Sequence, residues 1–465
     1  MPLKDIPPSD LSIPEAASQL RAGNLTSVAL TQACLDRIAA CDTRLHAFTA
    51  IDETALGQAA TADQAFANGQ DLGPLQGIPV GIKDLIDAAG LPATCGSAVF
   101  AERKPASDAA VVMRLRAGGA VIMGKLATYE FAMVGPDQTL PHPPARNPWN
   151  PAHITGGSSS GSAAAVAGGL LRAALGTDTG GSVRSPAAYC GCVGLKPSFG
   201  RTSRSGVFPL SPSLDHVGPL AATVEEAALL LDAICGYDPA DRYSTNVIWR
   251  PASDLLGQDI AGIRIGYARD WFAHDSQTDP VLFRAMDDAA AQLSILGARI
   301  EEVTLPDYAL YEAAGSIILH TEALAVHRPL MNEHSAAYGR PVLQSLAVGA
   351  AVDLTALDRA RRSVVQLTAK MQAAIAPFSA LILPTTLTPA LPFSNFDGKT
   401  ATWTPMRTIP FNVTGQPALS LPIGFSNGLP LGMQIVGAVG ADDIICRIGH
   451  AYERATNHAL MHPAF

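Results

Sequence analysis

Residues 152–169 read AHITGGSSSGSAAAVAGG, a glycine-rich run in which four of five consecutive positions, 158–162, are serine. A run of this composition is typical of three structures: a flexible linker, an anion-binding loop, or a tight turn that presents a nucleophile. No Gly-Lys-Ser/Thr follows the glycines, which disfavours a phosphate-binding loop. The function of the chain therefore depends on which of these serines, if any, carries chemistry.

Residues 157–161, GSSSG, match the five-residue G-x-S-x-G nucleophile elbow of α/β-hydrolases. In that interpretation Ser159 would be the nucleophile and a late histidine its base, with three candidates in order: His450, His458 and His462. The pattern is short, and a run of serine and glycine satisfies it by chance. An esterase that uses Ser159 and a late histidine stays open as an alternative.

A second glycine turn lies further along the chain, at residues 176–191, GTDTGGSVRSPAAYCG. Adjacent glycines let the backbone turn tightly and point consecutive N–H groups at one position. Ser182 closes this turn, so it could attack a carbonyl while the preceding N–H groups hold the oxyanion, each donor contributing about 3 kcal/mol. The alternative is an ordinary strand-to-helix turn without chemistry.

A lysine interrupts the apolar stretch GIPVGIKDLI at residues 77–86. Burial disfavours the ammonium form and lowers the pKa of a lysine, so Lys83 could serve as a base near neutral pH. The alternative is that Lys83 and Asp84 form a solvent-facing pair at the end of a strand. The residues alone do not decide between the two.

Apolar patterns in the rest of the chain predict alternating helices and strands. No fixed-period repeat and no long linker interrupt them, so one large α/β domain is predicted. The predicted elements are helices over 26–40, on to about 66, over 108–117 with Gly118 as C-cap, and from a capping box at Thr223; strands over 77–86, 118–126, 263–267, 379–384 and 418–425; and a hairpin turn at Asn427-Gly428.

Composition excludes several classes of protein. Of the 465 residues, 48% are hydrophobic and only 16% charged, which predicts a large packed core rather than a disordered chain. A net charge of −9 without a Lys/Arg-rich run predicts no nucleic-acid partner. The seven cysteines form no CxxC pair, so we expect reduced thiols and no metal site. The start of the chain lacks a signal sequence and no segment could span a membrane, which predicts a cytoplasmic protein.

Five segments together resemble the amidase signature family, and the resemblance covers nearly the whole chain. They are residues 77–86, 155–169, 176–201, 213–228 and 412–437. The resemblance implies one amidase signature domain over 1–465, with a mixed central β-sheet flanked by helices on both faces. Within it we expect an N-terminal helical region (1–70), a catalytic core segment (71–225), and a remainder (226–465) that includes the walls of the substrate pocket.

The family uses a Ser-cisSer-Lys triad, which the resemblance transfers to Lys83 as base, Ser158 as proton relay after a cis peptide bond, and Ser182 as nucleophile. The oxyanion hole then maps onto the backbone N–H groups of Thr179, Gly180, Gly181 and Ser182. The implied reaction is acyl transfer through an acyl-enzyme, without a metal or an organic cofactor. Family members are often dimers, so the resemblance also allows a homodimer.

Substrate features are less defined by the sequence. Residues 127–135 correspond to the family segment that approaches the substrate, which puts Ala132 and Met133 near the acyl group. The alternative is that Phe131 and Met133 are core residues. Trp403, Met406 and Phe411 suggest a largely apolar pocket wall. We therefore predict hydrolysis of a small aryl or aliphatic amide, an anilide or a carbamate, with ester cleavage as a side activity.

Two further functions stay open beside this one. The first is an amidotransferase subunit that liberates ammonia from glutamine within a complex. The segment at 400–411, TATWTPMRTIPF, lacks the carboxylate that the glutamine-using branch of the family has there, which disfavours this function. The second is a binding or scaffold protein without catalysis, which the intact triad motifs disfavour.

Overall fold

A computed structural model describes residues 6–463, and the first five and last two residues of the predicted domain 1–465 lie outside it. One sheet of eleven strands organises the described chain, in the order β1-β3-β2-β4-β6-β5-β10-β11-β9-β7-β8. The strands are β1 (Phe48–Ile51), β2 (Pro79–Lys83), β3 (Val121–Leu126), β4 (Ala173–Asp178), β5 (Val193–Lys196), β6 (His216–Ala221), β7 (Arg264–Tyr267), β8 (Arg299–Glu302), β9 (Ala380–Pro384), β10 (Ala418–Ser426) and β11 (Leu429–Val436).

Strand pairing in the sheet is mixed. β2 runs parallel to β3 and β4, and β7 runs parallel to β8 and β9, whereas β10 and β11 form the antiparallel centre. Every residue of β2, β3, β4, β9 and β11 is buried, because helices cover both faces of the sheet. The predicted mixed sheet flanked by helices is confirmed.

The helices pack on this sheet and on one another. The longest of them, α10, extends along one side of a cavity that Ser182 also lines. Their bounds are α1 (Ile13–Arg21), α2 (Ser27–Leu45), α3 (Ala55–Ala67), α4 (Ala110–Ala117), α5 (Ser160–Ala167), α6 (Arg184–Cys190), α7 (Val224–Ile234), α8 (Asp270–Ala273), α9 (Pro280–Ile295), α10 (Tyr308–His334), α11 (Arg340–Ala351), α12 (Leu354–Ile375), α13 (Pro410–Val413) and α14 (Asp442–Arg454).

Most predicted elements are present, with differences at their ends. The hairpin turn is confirmed: Asn427 and Gly428 have φ angles of 51° and 77°, the left-handed pair that a two-residue hairpin requires. Gly118 caps α4 as predicted. Thr223 accepts a bond from the Glu226 N–H, but the Glu226 carboxylate pairs with Arg172, so only one half of the predicted capping box forms.

The sequence patterns missed β1. This short strand separates α2 from α3 and pairs antiparallel with β3. Its sequence, FTAI, is too short to show a strand period between two long helical patterns, so its pairing with β3 is a tertiary effect.

All seven cysteines lie within the described residues and carry free thiols. No helix between residues 6 and 463 combines the length and the apolarity that a membrane span needs.

Candidate active site

The candidate catalytic residues meet at one edge of the sheet. Lys83 is the last residue of β2, and Asp178 is the last residue of the neighbouring parallel strand β4. The carboxyl ends of parallel strands lie at the same edge, where open α/β sheets bind ligands. The turn after β4 leads through Ser182 into α6, and the serine-rich run reaches the same edge as it enters α5.

Lys83 is fully buried and lies between two hydroxyl groups. Its Nζ atom is 2.8 Å from Oγ of Ser158 and 2.7 Å from Oγ1 of Thr177. Burial lowers the pKa of Lys83 to about 7, although the carboxylates of Asp178 and Asp215 act in the opposite direction. A neutral amine is therefore accessible near neutral pH, as a general base requires.

The solvent-facing Lys83–Asp84 pair, the alternative from the sequence, is wrong. Both side chains are fully buried, and the Asp84 carboxylate instead lies 3.7 Å from the ammonium of Lys125. The two successive side chains alternate across the strand end and face different partners.

Only one of the four clustered serines faces Lys83. Ser158 follows a cis peptide bond from Gly157, as the family resemblance implied, and its side chain is buried. The other three hydroxyls donate to backbone carbonyls: Ser159 to Thr177 at 3.2 Å, Ser160 to Ala127 at 3.2 Å, and Ser162 to Leu175 at 3.0 Å. These three serines hold the start of α5 against the strands.

Ser182 lies in the turn after β4 and lines a cavity of about 600 Å³ together with Thr179, Gly180 and Gly181. The backbone N–H of Ser159 donates to the carbonyl of Ser182 at 3.2 Å, which connects the two candidate serine segments directly. Gly181 has a φ of +136°, a conformation open to glycine. Its N–H donates to Oδ1 of Asp178 at 2.9 Å, so this predicted oxyanion donor is already in use.

An ion pair that the sequence patterns did not predict supports this turn. The carboxylate of Asp178 accepts from the N–H of Gly181, the N–H of Val183 and the guanidinium of Arg184. Asn412 also donates to it, at 2.8 Å. Although burial opposes the charged form, Arg184 holds the pKa of Asp178 well below its usual range. Charged residues inside the glycine-rich run DTGGSVR were the available signal.

Arg184 is itself fully buried and connects the turn to the far end of the chain. Its guanidinium donates to the carbonyl of Thr408, to Gln434 and to Asn412, at 2.8–2.9 Å. The turn that carries Ser182 is thus held by segments more than 200 residues away.

The cavity wall partly matches the prediction. Ala132, Met133, Trp403 and Met406 line it. Phe411, also predicted to line the pocket, does not: it is fully buried and packs against Trp271, with ring centroids 6.1 Å apart. It lies in α13, whose side chains are all buried.

Charged residues also line the cavity, and the sequence patterns did not predict them. Three are carboxylates, Asp275, Asp307 and Glu312, and one is a guanidinium, Arg407. Arg407 pairs with Asp275, donates to the carbonyl of Trp271, and lies 4.3 Å from the ring centre of Tyr308. These residues come from separate segments of the chain, and no short motif marks them.

The nucleophile elbow is contradicted. Ser159 is fully buried and does not line the cavity. The ring of His450 accepts from the N–H of Gly257, and His458 stacks on Tyr452. Among the described lining residues none is His450, His458 or His462. Within residues 6–463, no group of three or more His, Cys, Asp or Glu side chains is arranged to hold a metal ion.

A sequence model of the amidase family, described as "Amidase", matches residues 29–446. The chain belongs to the amidase signature family. One similar relative is a glutamyl-tRNA(Gln) amidotransferase subunit from Chloroflexus aurantiacus, which is 37% identical over 97% of this chain and 98% of the relative. The present chain is thus an amidase-family enzyme that acts on carbon–nitrogen bonds.

Solved structures show the same likeness. The peptide amidase of Stenotrophomonas maltophilia superimposes with a TM-score of 0.85 at 32% identity, covering 97% of this chain and 98% of the other. A bacterial aryl acylamidase of the amidase signature family superimposes with a TM-score of 0.86 at 25% identity, with 97% of each chain covered. Similar folds in this family therefore accompany different substrates.

Proposed function

We propose that the chain hydrolyses the C–N bond of a small, mainly apolar amide, anilide or carbamate through an acyl-enzyme on Ser182. The observation that carries this proposal is the buried contact of 2.8 Å between Lys83 Nζ and Ser158 Oγ, next to a cavity that Ser182 lines. A buried lysine with a pKa of about 7 next to a serine is the base that such chemistry needs.

In the proposed mechanism, protons move along a relay from Ser182 through Ser158 to Lys83. Ser182 Oγ attacks the carbonyl carbon, its proton passes to Ser158 Oγ, and the proton of Ser158 passes to neutral Lys83. As the C–N bond breaks, the same relay returns a proton to the leaving nitrogen, which departs as a neutral amine. Water then attacks the acyl-enzyme by the same route and releases the acid.

The developing oxyanion would be held by the backbone of the turn after β4. The N–H groups of Thr179, Gly180 and Ser182 are the proposed donors. The N–H of Gly181 has a positioning role, since its bond to Asp178 fixes the turn. An oxyanion donor of this kind lowers the activation barrier by about 3 kcal/mol.

The second candidate function is ammonia release from glutamine within a complex of several subunits. The observation that favours it is a sequence identity of 37%, along nearly the whole chain, to a subunit of glutamyl-tRNA(Gln) amidotransferase. The cavity weighs against it, because Arg407, the single guanidinium among the described lining residues, is already paired with Asp275 and is not free for a substrate carboxylate. A purified chain that hydrolyses benzamide or acetanilide but not glutamine would support the first function; the reverse preference would favour the second.

The role of Ser182 has a direct test. Ser182→Ala should lower kcat/KM for any hydrolysed amide by about 10³-fold or more, because the nucleophile is lost. It should also abolish the covalent acyl adduct that mass spectrometry detects after rapid quenching. His450→Ala is the matched control and should retain activity within about twofold; if it were the inactive variant, the proposed triad would be wrong.

A further inference from the structure

The active-site cavity carries more negative than positive charge. Asp275, Asp307 and Glu312 line it, and Arg407 is the one arginine or lysine among the described lining residues. Arg407 already forms an ion pair with Asp275. Two carboxylates, Asp307 and Glu312, therefore remain without a cation of the cavity wall to neutralise them.

These two carboxylates lie at the solvent end of the cavity. Both residues are exposed, whereas Ser182 is half-buried and Lys83 and Ser158 are buried. Asp307 caps the N-terminus of α10, where one of its oxygens accepts from the N–H of Ala309 at 3.0 Å. Glu312 lies in the first turns of the same helix. We define Asp307 and Glu312 as the acidic mouth.

Among the described lining residues, no titrating base cancels this charge near neutral pH. His320 is the histidine that lines the cavity, and burial lowers its pKa, so the imidazole is neutral at pH 7. Its Nδ1 pairs with the carbonyl of Ser316. A substrate carboxylate at the mouth would meet two negative charges, whereas an ammonium group would be attracted by both.

We propose that the acidic mouth is a specificity-determining element that selects amides carrying a positively charged group and rejects those carrying a carboxylate. The proposal rests on the proposed function, because it names the substrate class of the same site. The preferred substrate would have an apolar body, which contacts Trp403 and Met406, and an ammonium group directed toward Asp307 and Glu312.

The kinetic test uses three matched benzamides: 4-aminomethyl-, 4-methyl- and 4-carboxybenzamide, with ammonia release as the readout. The same three substituents on the aniline ring of acetanilide test the amine side. In at least one series we expect kcat/KM to fall about fivefold or more from cation to neutral and again from neutral to anion. The ratio should shrink in 0.5 M NaCl, since salt screens exposed charges. Equal values in both series would overturn the proposal.

A double variant of Asp307 and Glu312 tests whether these two charges cause the preference. Asp307→Asn keeps a good N-cap, and Glu312→Gln keeps the side-chain size, so the double variant removes charge with little change of shape. It should bring the cation-to-anion ratio of kcat/KM close to one. Glu333→Gln, on the same helix and outside the cavity lining, is the matched control and should keep the wild-type ratio. A ratio unchanged in the double variant would contradict the proposal.

A binding experiment separates this proposal from the proposed function. Benzylammonium and benzoate are titrated into the wild-type chain and the double variant by calorimetry. Tighter binding of benzylammonium to the wild type, lost in the double variant, supports the acidic mouth even if no amide is hydrolysed. Equal or tighter binding of benzoate overturns it, even if the Ser182-dependent hydrolysis is found.

Discussion

At the scale of single residues, the environment of a side chain gives it its chemistry. Lysine is usually found at the surface of a protein, but the fold buries Lys83 completely and gives it two hydroxyl partners. Lys125, also fully buried, has the same side chain near the end of the adjacent strand and instead pairs with Asp84. The presence of Ser158 and Thr177 next to Lys83, and of Asp84 next to Lys125, distinguishes a candidate base from a structural ion pair.

The pKa of Lys83 predicts the pH dependence of catalysis. Below about pH 7 the amine is protonated and cannot accept the proton of Ser158, so activity is lost as pH falls. For a substrate without ionising groups, kcat/KM should therefore rise about tenfold per pH unit below about 7 and level off above it. In Lys83→Met the residual rate should show no such inflection. An unchanged inflection in that variant would assign the titration to another group.

At the scale of elements, the turn between β4 and α6 is the part most sensitive to shape. Its two adjacent glycines differ in their surroundings. A Cβ on Gly181 would come within 2.3 Å of Oγ1 of Thr408, and the residue has a positive φ. A Cβ on Gly180 would meet nothing closer than 3.8 Å, from a side-chain atom of Ile409.

This difference predicts unequal effects of two alanine substitutions. Gly181→Ala should lower kcat by about 10²-fold or more, because the turn must shift and its N–H groups no longer point at the oxyanion. Gly180→Ala adds the same methyl group without a clash or strain, so its loss of kcat should be much smaller. Steady-state kinetics and circular dichroism on both variants check the effect. Equal losses would mean that the conformation of Gly181 does not preorganise the turn.

At the scale of the whole molecule, buried polar residues join segments far apart in the chain. Asp442, at the start of α14, is fully buried and accepts from the hydroxyl and the N–H of Ser198, 244 residues away. Its carboxylate also lies 3.1 Å from the guanidinium of Arg201, which is only 2% exposed. A buried charge with this many partners cannot lose one without leaving others unpaired.

Removal of this connection should be costly. Asp442→Ala is expected to lower the free energy of unfolding by about 3–5 kcal/mol, since the buried Arg201 guanidinium loses its nearest carboxylate. Glu301→Ala breaks the surface pair with Arg264, in which both side chains are more than 40% exposed, and should cost far less, because solvent and salt screen an exposed pair. Urea denaturation of the two variants gives the comparison. Similar costs would show that Asp442 does not act as a buried ion-pair partner.

Local patterns were sufficient for most elements and for the candidate triad. The hairpin at Asn427-Gly428 and the cap at Gly118 depend on backbone conformations that only a few residues adopt, so the sequence marks them directly. The long glycine-serine motifs similarly identified Ser158 and Ser182 through the family resemblance. The strand β1 was not predictable, because four residues show no period.

Contiguous motifs were enough to predict the alternation of helices and strands, the family, and the residues proposed to carry the reaction. The folded chain was needed to establish that Lys83 is buried, that Asp178 and Arg184 fix the turn that carries Ser182, and that Phe411 lies outside the cavity. It alone also brought Asp307 and Glu312 to the wall of the cavity that Ser182 lines. The physical reason is that burial, pairing and cavity charge are set largely by segments far apart in the chain, whose meeting no local pattern records.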